Sequence, residues 1–402
     1  MRLKEICDYI SRGTTPDYVD ESPYKVMNQA TFSKGWLDEN NVRYTSKNVR
    51  EAQIKKGDLL MASTGGGVLG KVFFFDSDNT SFYADSHVSI LRNSKGGNLM
   101  KYLYYVFSIK YDEINATMVK GSTNQTELQR NYLLAYELDM PPLSKQQRIV
   151  DYLDEKLGNI DARIAVLEKQ QNAYARLKKS IIHHAVTRGL NPDVSLKDSG
   201  VDWIGMIPEH WELRRFKSIF TECKSITQTG EENLLSVSEY YGVARRIDKM
   251  EDGEYESRAN SLIGYKVCKK NDLVINIMLA WKRGLGFSNF DGIVSPAYAV
   301  YRGKNIVPHY FHYLMRTDMY VTEYKRNSKG IIDSRLRMYT DRFNNIMSIF
   351  PPIPEQQTIA DYLDEKCSKI DAAIENIGKQ INALKRLKRA LINEVITGQR
   401  AV

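Results

Sequence analysis

Gly65-x-x-x-x-Gly70-Lys71 is the stretch of this chain that comes nearest to a chemical device. The spacing matches most of a phosphate-binding loop, whose backbone N–H groups cradle phosphates while the lysine reaches the outermost ones. That device also needs Ser or Thr as the next residue, to hold Mg²⁺, and a helix whose N-terminus meets the phosphates. Val72 and a run of phenylalanines come next instead, so the stretch reads as a glycine turn between two strands. Thr64 and Lys71 then stand at the two ends of a hairpin, where they could meet a phosphate backbone or a base edge. A nucleotide hydrolase resting on Gly65 to Lys71 is an alternative that Val72 argues against.

Other chemistry is weaker still. Asp154-Glu155-Lys156 and Asp364-Glu365-Lys366 offer the D-x-K string of some nucleases, but on a regular helix it is a surface charge pair. Met140-Pro141-Pro142-Leu143 and Phe350-Pro351-Pro352-Ile353 lack the polar first residue that would bond a target amine in methyl transfer, and read as helix stops. His309 and His312 lie three apart and His183 and His184 are adjacent, without carboxylate or cysteine partners at ligand spacing. The expectation is a chain with no catalytic residue and no metal. Groups able to read bases remain: Arg and Lys bond guanine bidentately, Asn and Gln bond adenine. The polar loops supply Ser122, Thr123, Asn124 and Gln125 in one half of the chain. In the other half they supply Lys282, Arg283, Lys329, Arg335 and Arg337.

The elements that must position these loops are set by a duplication. Pro141 to Thr187 and Pro351 to Thr397 align without a gap at a constant offset of 210, and both contain DYLDEK. Apolar residues step by four and three in each copy, through Ile149, Leu153, Leu157, Ile160, Ile164 and Leu167 to Gln171 and Tyr174. The second copy runs through Ile359, Leu363, Cys367, Ile370, Ile374, Ile377 and Ile381 to Leu384. That narrow seam belongs to a coiled coil rather than to a broad globular face. Leu384, Leu387, Leu391 and Val395 then continue at steps of three and four, a local eleven-residue repeat. Ser144 and Gln147 are placed for a capping box after the prolines. A helix of about 44 residues is roughly 65 Å long, so the modules before and after it are expected at opposite ends. Matching seams predict an antiparallel pair.

Around the helices the chain divides into a first module, 1–140, a first repeated helix, 141–190, a linker, 191–203, a second module, 204–350, and a second repeated helix, 351–402. Met100 to Ile114 reads as a helix, and Tyr132 to Met140 as a strand returning into the prolines. The second module repeats the plan loosely: Lys269 to Val274 parallels Lys55 to Leu60, Pro308 to Tyr324 parallels the earlier helix, and Gly330 to Met338 parallels the polar loop. The fold class expected is α+β, two pseudo-symmetric globular domains with two long antiparallel helices between them.

The 402 residues suffice for this plan. A net charge of +8 permits nucleic-acid binding without requiring it, and residues 1–140 are neutral overall. Cys7, Cys223, Cys268 and Cys367 are scattered with no CxxC, which fits a reducing, cytoplasmic compartment, and no 18-residue apolar run occurs.

Taken together, the two PP-x-x-x-QQ-x-I-x-DYLDEK repeats, the segment DSGVDWIGMIPEHWEL (198–213) and NDLVINIMLAWKRGLGFSNFDGIVSPAYAVYR (271–302) resemble the specificity subunit of type I restriction–modification systems. The resemblance runs over nearly the whole chain, although Met1 to Glu5 enters the first module without an IPEHW-type segment. It implies two target recognition domains, each reading one half of a split DNA site. It implies repeated helices that space the domains and dock methyltransferase subunits, a pair of them by the symmetry, with Gln146, Gln147, Tyr152, Leu153 and Ile160 on one helix and Gln356, Gln357, Tyr362, Leu363 and Ile370 on the other. S-adenosylmethionine, ATP and Mg²⁺ would belong to methyltransferase and restriction subunits, not to this chain. A coiled-coil assembly scaffold that reads no DNA is a further alternative.

Overall fold

The structure is a computed structural model, and it describes residues 1–402 except 95–96, 121–125 and 250–260. The chain forms two compact units, Met1–Glu168 with Lys379–Val402, and Lys169–Gly378. Both boundaries fall inside the long helices, Leu143–Arg188 and Ile353–Ile396, so each unit owns one module and a portion of each helix.

In the first unit four antiparallel strands lie in the order Tyr9–Arg12, Val88–Arg92, Leu59–Ala62, Val72–Phe74. Leu59 and Met61 point into the core beneath the helices, while Leu60 and Ala62 point into a second core with Met27, Phe32 and Val88. The uninterrupted apolar run LLMA is thus a strand buried on both faces, its side chains alternating between two cores. The second unit repeats the order with Phe220–Glu222, Tyr298–Gly303, Leu273–Asn276 and Leu285–Phe287. Leu273 and Ile275 face one core and Val274 the other.

The turn into the central strand is the same in both units. Gly57 and Asn271 hold the left-handed conformation, with φ of 89° and 69°, a region open to glycine and tolerated by asparagine. One residue on, a buried carboxylate closes the turn. Asp58 accepts from the Lys55 backbone at 2.7 Å and from Arg92 at 2.6 Å; Asp272 accepts from Lys269 at 2.9 Å and from Arg302 at 2.9 Å. Each carboxylate is removed from water, so its backbone donor and its guanidinium together replace the lost hydration.

Several local readings are corrected. The helix expected over Met100–Ile114 is two helices, Gly97–Ser108 and Tyr111–Thr117, as its counterpart is Pro308–Met315 and Asp318–Asn327. The strand expected over Tyr132–Met140 begins as a short helix, Arg130–Ala135, which turns Leu133 into the core. Only its continuation is extended, where Leu3 N donates to Tyr136 O and Leu138 N to Met1 O. The second unit makes a full ladder at the same place, Glu212–Arg215 with Met347–Phe350.

The long helix starts at Leu143, so Ser144 lies inside it and forms no capping box. Proline carbonyls do the capping: Pro142 O accepts from Lys145 N and Gln146 N, and the Gln146 side chain folds back to Pro141 O at 2.8 Å. Pro352 O and Gln356 repeat this, again with 2.8 Å to Pro351 O. Proline presets φ for a helix start and leaves no orphan N–H of its own, so a side-chain cap is unnecessary.

Within each unit the two helix portions run antiparallel. In the first, Leu153 and Leu157 share a core with Leu391, Ile392 and Val395, and Asp161 meets Lys388. In the second, Gln171 donates to Ile374 O and Lys178 meets Asp371. The seam departs from expectation at Tyr174 and Leu387, which are exposed; Leu384 is half-buried. Leu177, 210 positions before Leu387, is exposed as well, so both helix copies turn this position outward. All four cysteines are free thiols, and burial pushes those of Cys7 and Cys268 up to about 12. Among the described residues no helix is long and apolar enough to cross a membrane.

Candidate nucleic-acid interface

In the first unit the glycine turn joins Leu59–Ala62 to its antiparallel neighbour Val72–Phe74. Ala62 N donates to Lys71 O and Gly70 N to Ala62 O, so the loop closes tightly and Thr64 and Lys71 sit at its two ends. The strand Val72–Phe74, not a helix, follows Lys71. The turn is tied from three sides. Asn115 donates to Leu69 O at 3.0 Å, Thr64 Oγ1 bonds His87 Nδ1 at 2.6 Å, and the Thr64 backbone bridges Glu127. Arg12 pairs with Glu127 and donates to Leu128 O. Ser122, Thr123, Asn124 and Gln125 lie outside the described residues. The chain enters and leaves that stretch through the pair Lys120–Glu127, so its exit is joined to Thr64.

In the second unit the five predicted cations belong to two neighbouring loops. Lys282 and Arg283 close the turn after Leu273–Asn276, with Arg283 in the left-handed conformation at φ 64°. Lys329 and Arg337 face each other across a hairpin, each N–H donating to the other's carbonyl at 2.9 Å, and Arg335 stands exposed in the turn between them. Met338 N donates to Ile277 O at 2.8 Å, which fastens the hairpin base beside the first loop. The ammonium groups of Lys282 and Lys325 lie 4.9 and 5.0 Å from the centre of the Trp281 ring.

The five cations are not equivalent. The Arg283 guanidinium is turned inward, onto Arg316 O at 3.1 Å and the Asp318 carboxylate, where it holds the fold. Lys282, Lys329 and Arg335 are exposed.

Arg316 organises this face, and the sequence reading missed it. It donates to Arg283 O at 2.7 Å, Leu285 O at 2.5 Å and Glu239 O at 2.8 Å, and also reaches Tyr240 O. Burial, then the positive charge of Arg283, lowers its pKa to about 10. One side chain thereby locks the 279–285 loop to the Glu239–Tyr241 turn, on which Tyr240 is 84% exposed. Beneath that turn His312 lies against Gly242 and Gly286, and burial lowers its pKa to about 3. No periodicity or motif marks Arg316, whose partners lie 31 to 77 residues away.

The helix residues expected to dock subunits divide in two. Ile370 is buried, and so are Gln146, Gln356, Leu153 and Leu363, which pack within this chain as parts of the spacer helices. They hold each module to its helix; Gln356 also accepts from Val307 N at 2.9 Å. Gln147 and Gln357 bond Asp151 and Asp361 one turn on, both at 2.8 Å, along the helix surface. Tyr152, Ile160 and Tyr362 are half-buried. The D-x-K strings serve the same junction. Asp154 accepts from Tyr105 and pairs with Lys101 at 2.7 Å, while Asp364 accepts from Tyr313 at 2.7 Å and meets His309 at 3.0 Å. Burial and these carboxylates push both tyrosine hydroxyls upward. Among the described residues no group of His, Cys, Asp or Glu is arranged to hold a metal ion.

Residues 1–173 match the model of the type I restriction modification DNA specificity domain. Among curated proteins the chain is similar to the type I restriction enzyme MjaX specificity subunit of Methanocaldococcus jannaschii, 27% identical over 52% of this chain and 50% of that one. It is also similar to the type I restriction enzyme EcoBI specificity subunit of Escherichia coli, 22% identical over 74% of this chain and 65% of that one. The chain therefore spans about half to two thirds of the length of the curated relatives it matches. A chain from the structure describing complex assembly and conformational transition of the type I R-M system has the same fold, with a TM-score of 0.67 at 14% identity over 98% of this chain and 96% of that one. The duplicated helices, the paired modules and these matches converge on one likeness: over residues 1–173 the chain matches the type I restriction modification DNA specificity domain, and beyond them it is similar to type I restriction enzyme specificity subunits.

Proposed function

We propose that the chain reads a bipartite double-stranded DNA target, one half-site per module, and carries methyltransferase and restriction subunits to it. The observation that carries this reading is the recurrence, in each module, of one strand order closed by a buried aspartate paired with an arginine. A shared frame with different loops suits two readers of different half-sites. The chain itself makes and breaks no bond. S-adenosylmethionine, ATP and Mg²⁺ act in the partner subunits, of which two methyltransferase copies would match the two helix copies. Flipping of the target base is the methyltransferase's task.

In the reading module of the second unit, Lys282, Lys329 and Arg335 supply contacts to phosphates or guanine edges, and in the first Thr64 and Lys71 do so at the glycine turn. Exchange of residues 1–140 for those of a relative, with methylation mapping of the reconstituted complex, tests the assignment. One half-site changes and the other stays. A change in both half-sites overturns the one-module-one-half reading. Methyl transfer by the rigorously purified chain alone overturns the non-catalytic one.

A further inference from the structure

The hairpin Lys329–Arg337 ends in a feature that phosphate contact does not explain. Ile331 at its tip is 100% exposed and Ile332 beside it 53% exposed. Single exposed apolar residues are ordinary on protein surfaces, but two adjacent isoleucines on a braced tip are a different matter. Two backbone hydrogen bonds close the base at Lys329 and Arg337, and Arg335 N donates to Ile332 O inside the turn. Leu336 and Met338 are buried and root the hairpin in the module. Gly330, at φ 151°, lets the chain pass so near Arg335 that a Cβ would stand 2.6 Å from the Arg335 carbonyl oxygen. The tip is therefore strapped, and isoleucine adds a stiff side chain with few rotamers to lose.

Its surroundings select the occupant. Lys329 and Arg335 flank the isoleucines, and the carboxylate in the turn, Asp333, is neutralised by Lys325 at 3.1 Å. A branched apolar tip ringed by cations suits a polyanion with an apolar interior. Base-pair stacks are such an interior, and side chains of this kind enter them as wedges that unstack a step and bend the duplex. Resting on the proposed DNA-reading function, we infer that Ile331, supported by Ile332, inserts between base pairs of the half-site read by the second unit. The stretch of the first module that parallels it in sequence, GSTNQTEL, has no such apolar pair. Distortion is accordingly confined to one half-site.

The test uses the chain assembled with its methyltransferase subunits and duplexes carrying 2-aminopurine at successive steps of the mapped half-site, the methylated adenine excluded. Wild-type complex raises the fluorescence at one step. Ile331→Ala abolishes the rise and weakens binding about tenfold, the value of losing one buried aliphatic side chain. Ile331→Leu keeps both, and the salt dependence stays that of the wild type because no phosphate contact is lost. Ile331 touches no core, so these variants fold. Binding by wild type without a fluorescence rise at any step overturns the wedge, as does an Ile331→Ala complex that behaves as wild type. So does loss of subunit assembly in Ile331→Ala, which would make the tip a protein contact. Failure of the wild-type complex to bind DNA at all sinks the DNA-reading function instead.

Discussion

The Lys178 ammonium donates to both carboxylate oxygens of Asp371, at 2.7 and 2.6 Å, inside the second unit. Adding 210 to the lysine and subtracting it from the aspartate gives Lys388 and Asp161, which form the same grip at 2.8 and 2.6 Å inside the first. Two copies of one helix running antiparallel bring such positions together twice, because each copy presents its lysine to the other's aspartate. The pairs are partly exposed, so each is expected to contribute about 0.5 kcal/mol. Double-mutant cycles with Lys178→Met, Asp371→Asn and their counterparts should return equal couplings from denaturant unfolding. Both couplings should shrink in 1 M salt, where screening acts over about 3 Å; coupling at one pair only would break the symmetry argument.

The module–helix junction uses one carboxylate in each copy. Tyr105→Phe and Tyr313→Phe each remove the hydroxyl that donates to it, to Asp154 in one copy and to Asp364 in the other. The expected cost is about 1–2 kcal/mol in each case. Because the two tyrosines serve equivalent sites, unfolding measurements on the two variants should agree to within about 0.5 kcal/mol.

His312 makes the second unit sensitive to acid. The unfolded chain takes up a proton near the ordinary 6.5, whereas in the fold burial delays this to about 3. Between those values the unfolded state binds more protons, so stability falls as the pH is lowered through that window and is undiminished above it. In His312→Gln this contribution is absent, and a plot of unfolding free energy against pH from 7 to 4 should be flatter than the wild type's. Identical slopes would show that the imidazole does not titrate differently in the fold.

Arg316→Met should free the carbonyls of Arg283, Leu285 and Glu239 and cost about 2 kcal/mol or more, since buried acceptors lose charged donors. Hydrogen exchange should accelerate at the amides of the 239–242 turn and the 283–285 loop. Arg316→Lys restores the charge but not the fork, and should fall between the two. Uniform acceleration across the second unit would instead indicate a general loss of stability.

Arg283 and Lys282 show what local sequence can and cannot reveal. Both are cations in a loop, and nothing in their neighbours distinguishes them. Yet one points onto Asp318, 35 residues away, and the other stays exposed. The same holds for Gln146 and Gln147, adjacent in sequence, of which the first is buried on Pro141 and the second lies along the helix surface. By itself the sequence determined the duplication, the two long helices and the matched turns at Gly57 and Asn271, because helical period, proline stops and left-handed turn residues are local constraints. Only the tertiary structure decided which loop cations are committed to the fold, that Arg316 binds two loops together, and that Ile331 is carried outward on a braced tip. Those outcomes depend on hydrogen-bond partners and buried neighbours contributed by distant segments, which no local pattern encodes.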